Sequence, residues 1–353
     1  MNARAVLVLV VLLAILGGGA LIYLHQENAE RPGNVATLGK PLLPDLKAAD
    51  IASIKIVQPG ATLTLQRKEN GWVIAERRGF PADVNKVRDF VIKLLELKVG
   101  QSEPIGEKDR ARLNVDASGT QVEFAGADGK PLAKLTVGKK YFKSGEVDNP
   151  EKARADGRFV SLPAQAGTVY IVSDPLTQAS TKSADWIDHT SFQVEKVKTL
   201  ELKKPEGEAW KLERAGDNAD WKLTPIKPGE KLNTGNATAA TYSLSLLELA
   251  DVAPVDAQDT GLDNPTLINA TTFDGLTYEI KVGKLQGDNY FVRFTSSGTV
   301  NGDDKDERIK KLRERQPREK LLSDHVLLIP KSKLDDTLKP RNDLLEKNPE
   351  PKK

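Results

Sequence analysis

The chain has 353 residues, which is enough for two or three domains of roughly 100–200 residues each. Its 52 Lys and Arg residues nearly balance its 50 Asp and Glu residues, and this disfavours a dedicated polyanion binder such as a nucleic-acid protein. Cysteine is absent, which excludes disulfides, thiolate nucleophiles, cysteine metal sites and a lipid-modified cysteine.

The first element in the chain is an apolar N-terminal segment. From Ala5 to Leu24 no residue carries a charge, and a helix of this length, at ~1.5 Å per residue, would match the ~30 Å hydrocarbon core of a bilayer. Arg4 precedes the segment and Glu27 follows it, so the positive-inside bias predicts a cytoplasmic N-terminus and an external body. Residues 1–25 are therefore predicted to be a single-pass membrane anchor. A cleaved signal peptide is the alternative, although its apolar region usually has about 7–15 residues.

The first module is predicted over residues 50–192, after a Pro- and Gly-containing linker at 26–49. It opens with β-rich, alternating runs, and Asn70-Gly71 predicts a hairpin turn ahead of a strand that begins at Trp72. A helix is expected to follow, with Asp83 as its N-cap, because apolar residues then recur at helical spacing. Further alternating runs predict the remaining strands of this module.

The second module is predicted over residues 193–345 and repeats this order of elements. A helix is expected at about 234–249, and Asp274-Gly275 predicts a hairpin turn like the earlier Asp128-Gly129. The last residues, 346–353, are predicted to be a disordered tail.

Matched landmarks indicate that the two modules are copies. The first copy contains Trp72, Leu94-Leu95-Glu96-Leu97 and Val137-Gly138-Lys139, and the second contains Trp221, Leu246-Leu247-Glu248-Leu249 and Val282-Gly283-Lys284. A repeat this long predicts tandem domains rather than a solenoid. The expected fold class is therefore α+β, with an N-terminal transmembrane helix followed by two tandem, related modules of mainly antiparallel sheet with one principal helix each.

No group of residues predicts chemistry, and we expect no catalytic, cofactor-binding or metal-binding residue. His189, with Asp185 and Asp188 nearby, is the best metal candidate, but a metal site usually has more than one His or a dense set of carboxylates. The two Gly-Lys pairs, at 138–139 and 283–284, lack the Gly-rich turn and the hydroxyl residue of a phosphate loop. Carboxylates are abundant, but none stands out as a glycosidase-like pair.

Two further features have structural interpretations. Trp72, Trp210 and Trp221 lie on predicted strands and are expected in the core or on a sheet face rather than as ligand platforms, while Trp186 lies between the modules. The charged stretch 307–320 is expected to form a solvated helix, because acids are interspersed with its bases. Contact with anionic lipid or a partner is the alternative for this stretch.

The chain resembles the bacterial family called domain of unknown function 4340. The resemblance rests on the Trp hairpin, the helix ending in Leu-Leu-Glu-Leu, the Val-Gly strand and the segment from Gly261 to Pro265. Two departures are Thr260, where an aromatic residue is expected, and Leu113-Asn114-Val115, which lacks the Gly-Leu of the second copy. The family is similar in context to accessory proteins of ABC-type exporters, including gliding-motility-type components. The resemblance implies an envelope partner and provides no catalytic residue.

These observations lead to three functional hypotheses. The first is a non-enzymatic accessory or scaffold protein, anchored in the bacterial inner membrane from Ala5 to Leu24 with a periplasmic body, whose partners are integral-membrane or ABC-type transporter subunits. The second is a periplasmic module that holds a glycan or lipid between the two repeats, since clefts between domains often bind ligands. An envelope hydrolase that uses carboxylates ranks last.

Overall fold

The computed structural model describes residues 38–144, 147–150, 152–303 and 305–346. Its strands are β1 (Ser53–Gln58), β2 (Ala61–Lys68), β3 (Gly71–Ile74), β4 (Phe80–Pro81), β5 (Val99–Pro104), β6 (Thr120–Ala125), β7 (Pro131–Tyr141), β8 (Gly157–Ser161), β9 (Thr168–Val172), β10 (Val197–Lys203), β11 (Ala209–Glu213), β12 (Lys222–Thr224), β13 (Asp251–Val252), β14 (Thr266–Thr272), β15 (Leu276–Gln286), β16 (Asn289–Gly298) and β17 (Leu327–Pro330). Its α-helices are α1 (Val84–Leu95), α2 (Glu107–Arg112), α3 (Thr234–Tyr242), α4 (Glu307–Ser323) and α5 (Lys331–Leu334).

The strands form two large, mainly antiparallel sheets. The nine-stranded sheet has the order β4-β3-β2-β1-β6-β7-β8-β9-β5, and the eight-stranded sheet has the order β12-β11-β10-β14-β15-β16-β17-β13. Apart from the edge strand β4, the two orders correspond strand for strand, from β3 and β12 at one edge to β5 and β13 at the other. In each case a helix, α1 or α3, precedes the strand that closes the sheet. The two halves of the chain therefore share one topology, as a duplication predicts.

The predicted fold class is wrong, because the described chain is mostly antiparallel sheet with few helices. The helix expected over 234–249 ends as an α-helix at Tyr242 and continues only as the 3₁₀ turn Ser243–Ser245. The hydroxyl of Ser243 donates to the carbonyl of Ala240 at 3.2 Å, and that of Ser245 donates to the carbonyl of Tyr242 at 2.7 Å. Such local side-chain bonds compete with regular helix hydrogen bonding.

The transmembrane part of the same prediction is not supported either. Among the residues that the structure describes, no helix is both long enough and apolar enough to cross a bilayer. The segment from Ala5 to Leu24, on which that prediction depends, lies outside the described residues.

The chain divides into two compact units. Within the described ranges, residues 38–62 and 88–181 form the first unit, and residues 63–87 and 182–346 form the second. The predicted domain limits stay a prediction. The division assigns the hairpin of the first copy, with β3, β4 and the start of α1, to the same unit as the second copy.

The core of the first unit follows the period-2 pattern of its strands. Ile54 and Ile56 of β1 are fully buried, and so are their register partners, Phe124 and Val122, in β6. The N–H of the buried Leu42 donates to the carbonyl of Leu97 at 2.7 Å. The described end of the predicted linker therefore packs within this unit.

The second unit buries the corresponding face of its own sheet. Leu200 and Leu202 of β10 are fully buried and pair with Ala270 and Ile268 of β14. In β15, Tyr278 and its alternate neighbours are buried in the same way, as the alternation in the sequence predicts. The segment 63–87 is fastened within this unit as well.

Three contacts fasten that segment. The N–H of Asp83 donates to the carbonyl of Trp186 at 2.7 Å, and Nζ of Lys86 donates to the carbonyl of Ile187 at 2.8 Å. Arg77 lies 3.9 Å from the carboxylate of Asp251. Backbone and side-chain bonds thus both connect this hairpin to the C-terminal part of the chain.

The Val-Gly-Lys sequence of the first copy marks a bulge in the sheet. The register between β7 and β8 shifts between Val137 and Lys140. A Cβ atom on Gly138 would overlap the carbonyl oxygen of Leu113, so only glycine lets this loop approach the strand. The N–H of Lys139 donates to that same carbonyl at 2.9 Å.

The second copy repeats this arrangement. A Cβ atom on Gly283 would overlap the carbonyl oxygen of Thr260, and the N–H of Lys284 donates to that oxygen at 2.8 Å. The next loop residue has a left-handed backbone in both copies, with φ of 54° at Asn114 and 71° at Gly261. Asn is one of the few residues that adopt this conformation readily, so it replaces the glycine of the second copy. The repeated Gly-Lys pair therefore serves the packing of a loop against a strand.

Candidate functional site

A hollow in the second unit is the candidate site. Its volume is about 650 Å³, within the range usual for small-molecule pockets. One wall is formed by residues 193–197, 214 and 217–221, and the facing wall by the outward side of α3 with the turn that follows it. Trp221 and Arg214 lie on the first wall, and Thr234 and Thr238 on the second.

Arg214 holds the aromatic wall in place. Its guanidinium lies 4.7 Å from the centre of the Trp221 ring, a distance typical of a cation–π contact. Its Nε donates to the carbonyl of Val197 at 2.7 Å, and one terminal nitrogen donates to Oδ1 of Asp217 at 2.9 Å. The cation is thus fixed on both sides, and the half-buried Trp221 ring is held by it.

Asp217 pairs with both Lys196 and Arg214 on this wall. Nζ of Lys196 donates to its Oδ2 at 2.6 Å, while Arg214 occupies its Oδ1. The hydrogen bond from Lys196, assisted by the charges of both cations, holds the pKa of Asp217 below its usual value. Asp217 is therefore ionised at neutral pH with both oxygens engaged, which makes it a structural acceptor rather than a proton-transfer group.

Arg308 also lines the hollow and forms an ion pair with Asp274. Two guanidinium nitrogens of Arg308 donate to the carboxylate of Asp274, at 2.6 and 2.8 Å, in a bidentate arrangement. Asp274 is buried at the turn with Gly275, whose φ of 90° is the left-handed backbone that the Asp-Gly prediction requires. The predicted turn is confirmed, and its carboxylate also positions the start of α4.

Several polar groups that face the hollow have no partner in the described part of the chain. The carboxylate of Asp220, the amide of Asn218 and the indole N–H of Trp221 form no hydrogen bond or ion pair with any described residue. The same holds for the hydroxyls of Thr234 and Thr238 on the facing helix. Both walls therefore present unused donors and acceptors to the same space.

The helix that forms the second wall owes its position to a cap and to two small residues. Oδ1 of Asn233 accepts a hydrogen bond from the N–H of Asn236 at 3.0 Å, which caps the N-terminus of α3. Ala237 and Ala240 are fully buried on its inner side. The small side chains let the helix lie close to the core, while its outer side remains free to line the hollow.

An apolar ridge borders the hollow at the C-terminal end of α3. Tyr242 is 60% exposed and Leu246 is 47% exposed, and we call this pair the Tyr242–Leu246 ridge. On its other side lies a smaller hollow of about 380 Å³, which residues of α5 help to line, among them Ser332 and Lys333. The ridge thus separates two depressions of the same surface.

The best metal candidate of the sequence does not form a site. Nδ1 of His189 lies 2.7 Å from the carbonyl oxygen of Leu249, and Asp188 accepts a hydrogen bond from the N–H of Thr190 at 2.9 Å. Asp185 lies in a separate 3₁₀ turn. In the ranges that the structure describes, no group of three or more His, Asp or Glu residues is arranged to hold a metal ion.

The tryptophans have different environments. Trp186 and Trp210 are buried, and the indole N–H of Trp210 donates to the carbonyl of Lys339 at 3.0 Å. Trp72 and Trp221 are half-buried. The expectation of a core or sheet-face position therefore suits Trp210, whereas Trp221 lines the hollow. The signal that the sequence offers for the hollow is this Trp beside Asn218 and Asp220. It can be recognised only when the position of the facing helix is known.

The charged stretch 307–320 forms α4, but several of its arginines face the protein rather than solvent. Arg315 donates to the carbonyl of Gln193 at 3.0 Å, and Arg318 donates to the carbonyl of Thr190 at 2.8 Å. These bonds hold the segment that leads into β10, and so they position the part of the first wall formed by residues 193–197.

Comparison with known proteins identifies one family. The model described as Domain of unknown function (DUF4340) matches residues 72–265, more than half of the chain. The match begins at Trp72, ends at Pro265 and includes both walls of the hollow. No curated protein and no solved structure shows a significant match. The chain therefore belongs to the family named for domain of unknown function 4340.

Proposed function

We propose that this protein is a non-enzymatic accessory or scaffold protein of a membrane transport complex of the ABC type, and that its body acts on the periplasmic side of the bacterial inner membrane. The observation that carries the proposal is the Tyr242–Leu246 ridge.

The ridge has the properties of a protein-docking surface. Tyr is enriched among the residues that dominate binding energy at interfaces, and such residues fit into or beside pockets of the partner. Leu246 exposes 47% of its surface beside Tyr242, and full burial of such a side chain is worth about 1.5–3 kcal/mol. The depressions on either side of the ridge could receive side chains of a partner, so we expect an apolar segment of a transport subunit to dock here.

The first copy offers a smaller version of this feature. Ile92 of α1 is 42% exposed and occupies the position in its helix that Tyr242 occupies in α3. The buried positions around the two residues also correspond, with Leu94 matching Leu244. A duplicated docking helix would suit a scaffold that contacts more than one segment of its partners.

Site-specific photo-cross-linking in membranes tests the proposal. A photoreactive amino acid placed at Tyr242 should capture a permease or ATPase subunit, identified by mass spectrometry. The substitution Leu246→Ser should lower the yield about tenfold, since about 1.4 kcal/mol of lost contact corresponds to a factor of ten. Ile226 is a matched control because it is also 47% exposed but lies outside the ridge.

The control defines the outcome that would overturn the proposal. Capture of the same subunit from Ile226, an unchanged yield in Leu246→Ser, or no transport subunit at all from Tyr242 would each refute docking through the ridge. The variant Ile226→Ser should leave the yield from Tyr242 unchanged.

A further inference from the structure

We propose that the hollow between Trp221 and α3 binds a neutral, polyhydroxylated ligand of the saccharide class. This inference goes beyond the accessory role, because it assigns a ligand to a site in the second unit. It depends on the hollow, whereas the accessory role depends on the ridge beside it.

The charges around the hollow favour a neutral ligand. Three cations and three anions line it: Lys196, Arg214, Arg308, Glu195, Asp217 and Asp220. Five of the six are engaged in ion pairs with protein groups. An anionic ligand would need an unpaired cation, whereas among the described residues that line the hollow the charged side chain without an ion-pair partner is the anion Asp220.

The unengaged polar groups match the hydroxyls of a saccharide. The carboxylate of Asp220 can only accept hydrogen bonds, the indole N–H of Trp221 can only donate, and the hydroxyl of Thr238 can do both. A sugar hydroxyl donates and accepts, so it can satisfy all three kinds of partner. A lipid chain would leave these groups without partners when it excluded water, which costs free energy for each of them.

The aromatic wall completes the argument. The Trp221 ring offers an apolar surface with a polar edge, which suits a ligand that has C–H faces and hydroxyl edges. Arg214 and Asp217 already fix this wall, so binding would cost little further side-chain conformational entropy. The volume of about 650 Å³ leaves room for more than one sugar ring.

Binding of defined oligosaccharides to the purified full-length chain tests the inference. The probes are an array of neutral oligosaccharides of hexoses and N-acetylhexosamines, with a sulfated hexasaccharide as the anionic comparison, and affinities are measured by titration calorimetry. We expect a neutral member to bind, and Trp221→Ala and Asp220→Ala each to weaken it about tenfold or more. Asp256→Ala is the matched control, because Asp256 is exposed and lies outside the hollow.

The alternatives have distinct results. No binding of any neutral member at millimolar concentration, tighter binding of the sulfated probe, or unchanged affinity in both variants would overturn the inference. If Trp221→Ala does not fold, Asp220→Ala decides, since that side chain is exposed and has no described partner. No partner protein is present in this assay, so the two proposals can fail separately. Saccharide binding without cross-linking would refute only the accessory role, and cross-linking without saccharide binding would refute only the ligand assignment.

Discussion

The buried Glu319 accepts a hydrogen bond from the hydroxyl of Tyr278 and a longer one, at 3.5 Å, from the N–H of Gln193, and removing the shorter bond should have a measurable cost. Glu319 is 2% exposed and Tyr278 is 1% exposed, and the hydroxyl of Tyr278 donates to Oε2 of Glu319 at 3.0 Å. Nε of Arg315 lies 2.8 Å from Oε1, but its N–H has no hydrogen-bond partner among the described residues. The contact with Arg315 is therefore an ion pair that leaves Tyr278 as the main direct donor.

The substitution Tyr278→Phe removes this donor and retains the ring, which stacks near Phe192 with the ring centres 6.4 Å apart. A hydrogen bond to a charged group contributes about 1.5–3 kcal/mol, and loss of the donor leaves a buried carboxylate oxygen unsatisfied. We therefore expect the free energy of unfolding to fall by about 2–3 kcal/mol. Urea denaturation followed by circular dichroism measures this change.

Tyr290→Phe provides the matched control. Tyr290 is half-buried in β16, and its hydroxyl forms no hydrogen bond with any residue in the described ranges. The same chemical change there should alter the free energy of unfolding by no more than about 0.5 kcal/mol. A Tyr278→Phe variant as stable as the Tyr290→Phe variant would refute the role assigned to the buried hydroxyl.

Two further predictions concern Glu319 and the repeated glycine. Burial raises the pKa of Glu319, so its contribution to stability is complete below its unfolded pKa of about 4.3 and is lost as pH rises through the folded pKa. The free energy of unfolding of the wild type minus that of Glu319→Gln, from urea titrations at successive pH values, should therefore decrease as pH rises above about 4. A value that stays constant or increases with pH would contradict this. Gly283→Ala should cost about 1–3 kcal/mol, because its Cβ would overlap the carbonyl of Thr260. Gly216→Ala, where the space is open, should change the melting temperature little, and equal losses would contradict the packing role.

Local elements of the fold could be predicted where a short sequence determines the backbone. Oδ1 of Asp83 accepts from the N–H of Asn85 at 2.9 Å, so the predicted N-cap of α1 is confirmed. The alternating residues of β15 are buried as predicted, and the Asp274-Gly275 turn forms. In these places the side chains of a few neighbouring residues are sufficient to fix the conformation.

The residue-by-residue equivalence of the two copies could be established only from the structure. The sequence aligns Leu94-Leu95 with Leu246-Leu247, because the letters are identical. Burial instead matches Leu94 with Leu244 and Leu97 with Leu247, and in both copies the residue after the second of these leucines forms an isolated β-bridge. Identical letters thus do not mark equivalent positions here, since core packing selects for burial and not for a particular apolar residue.

The candidate site was hidden for a similar reason. Trp221 on its own suits a sheet face, and the hollow exists only because Arg214 holds that ring and α3 faces it. These interactions join parts of the chain that are distant in sequence. No local pattern reports them, whereas the hairpin turns and helix caps are local by nature.

The assignment of residues 63–87 to the second unit affects how the chain must be made. Nζ of Lys86 donates to the carbonyl of Ile187, which lies 101 residues further along the chain. During translation the hairpin is therefore synthesised before the residues against which it packs. Until those residues are synthesised, its apolar face is exposed to chaperones and proteases. Expressing the two copies as separate fragments would separate the hairpin from the unit in which it packs. Adding a peptide of residues 63–87 should then stabilise the C-terminal fragment.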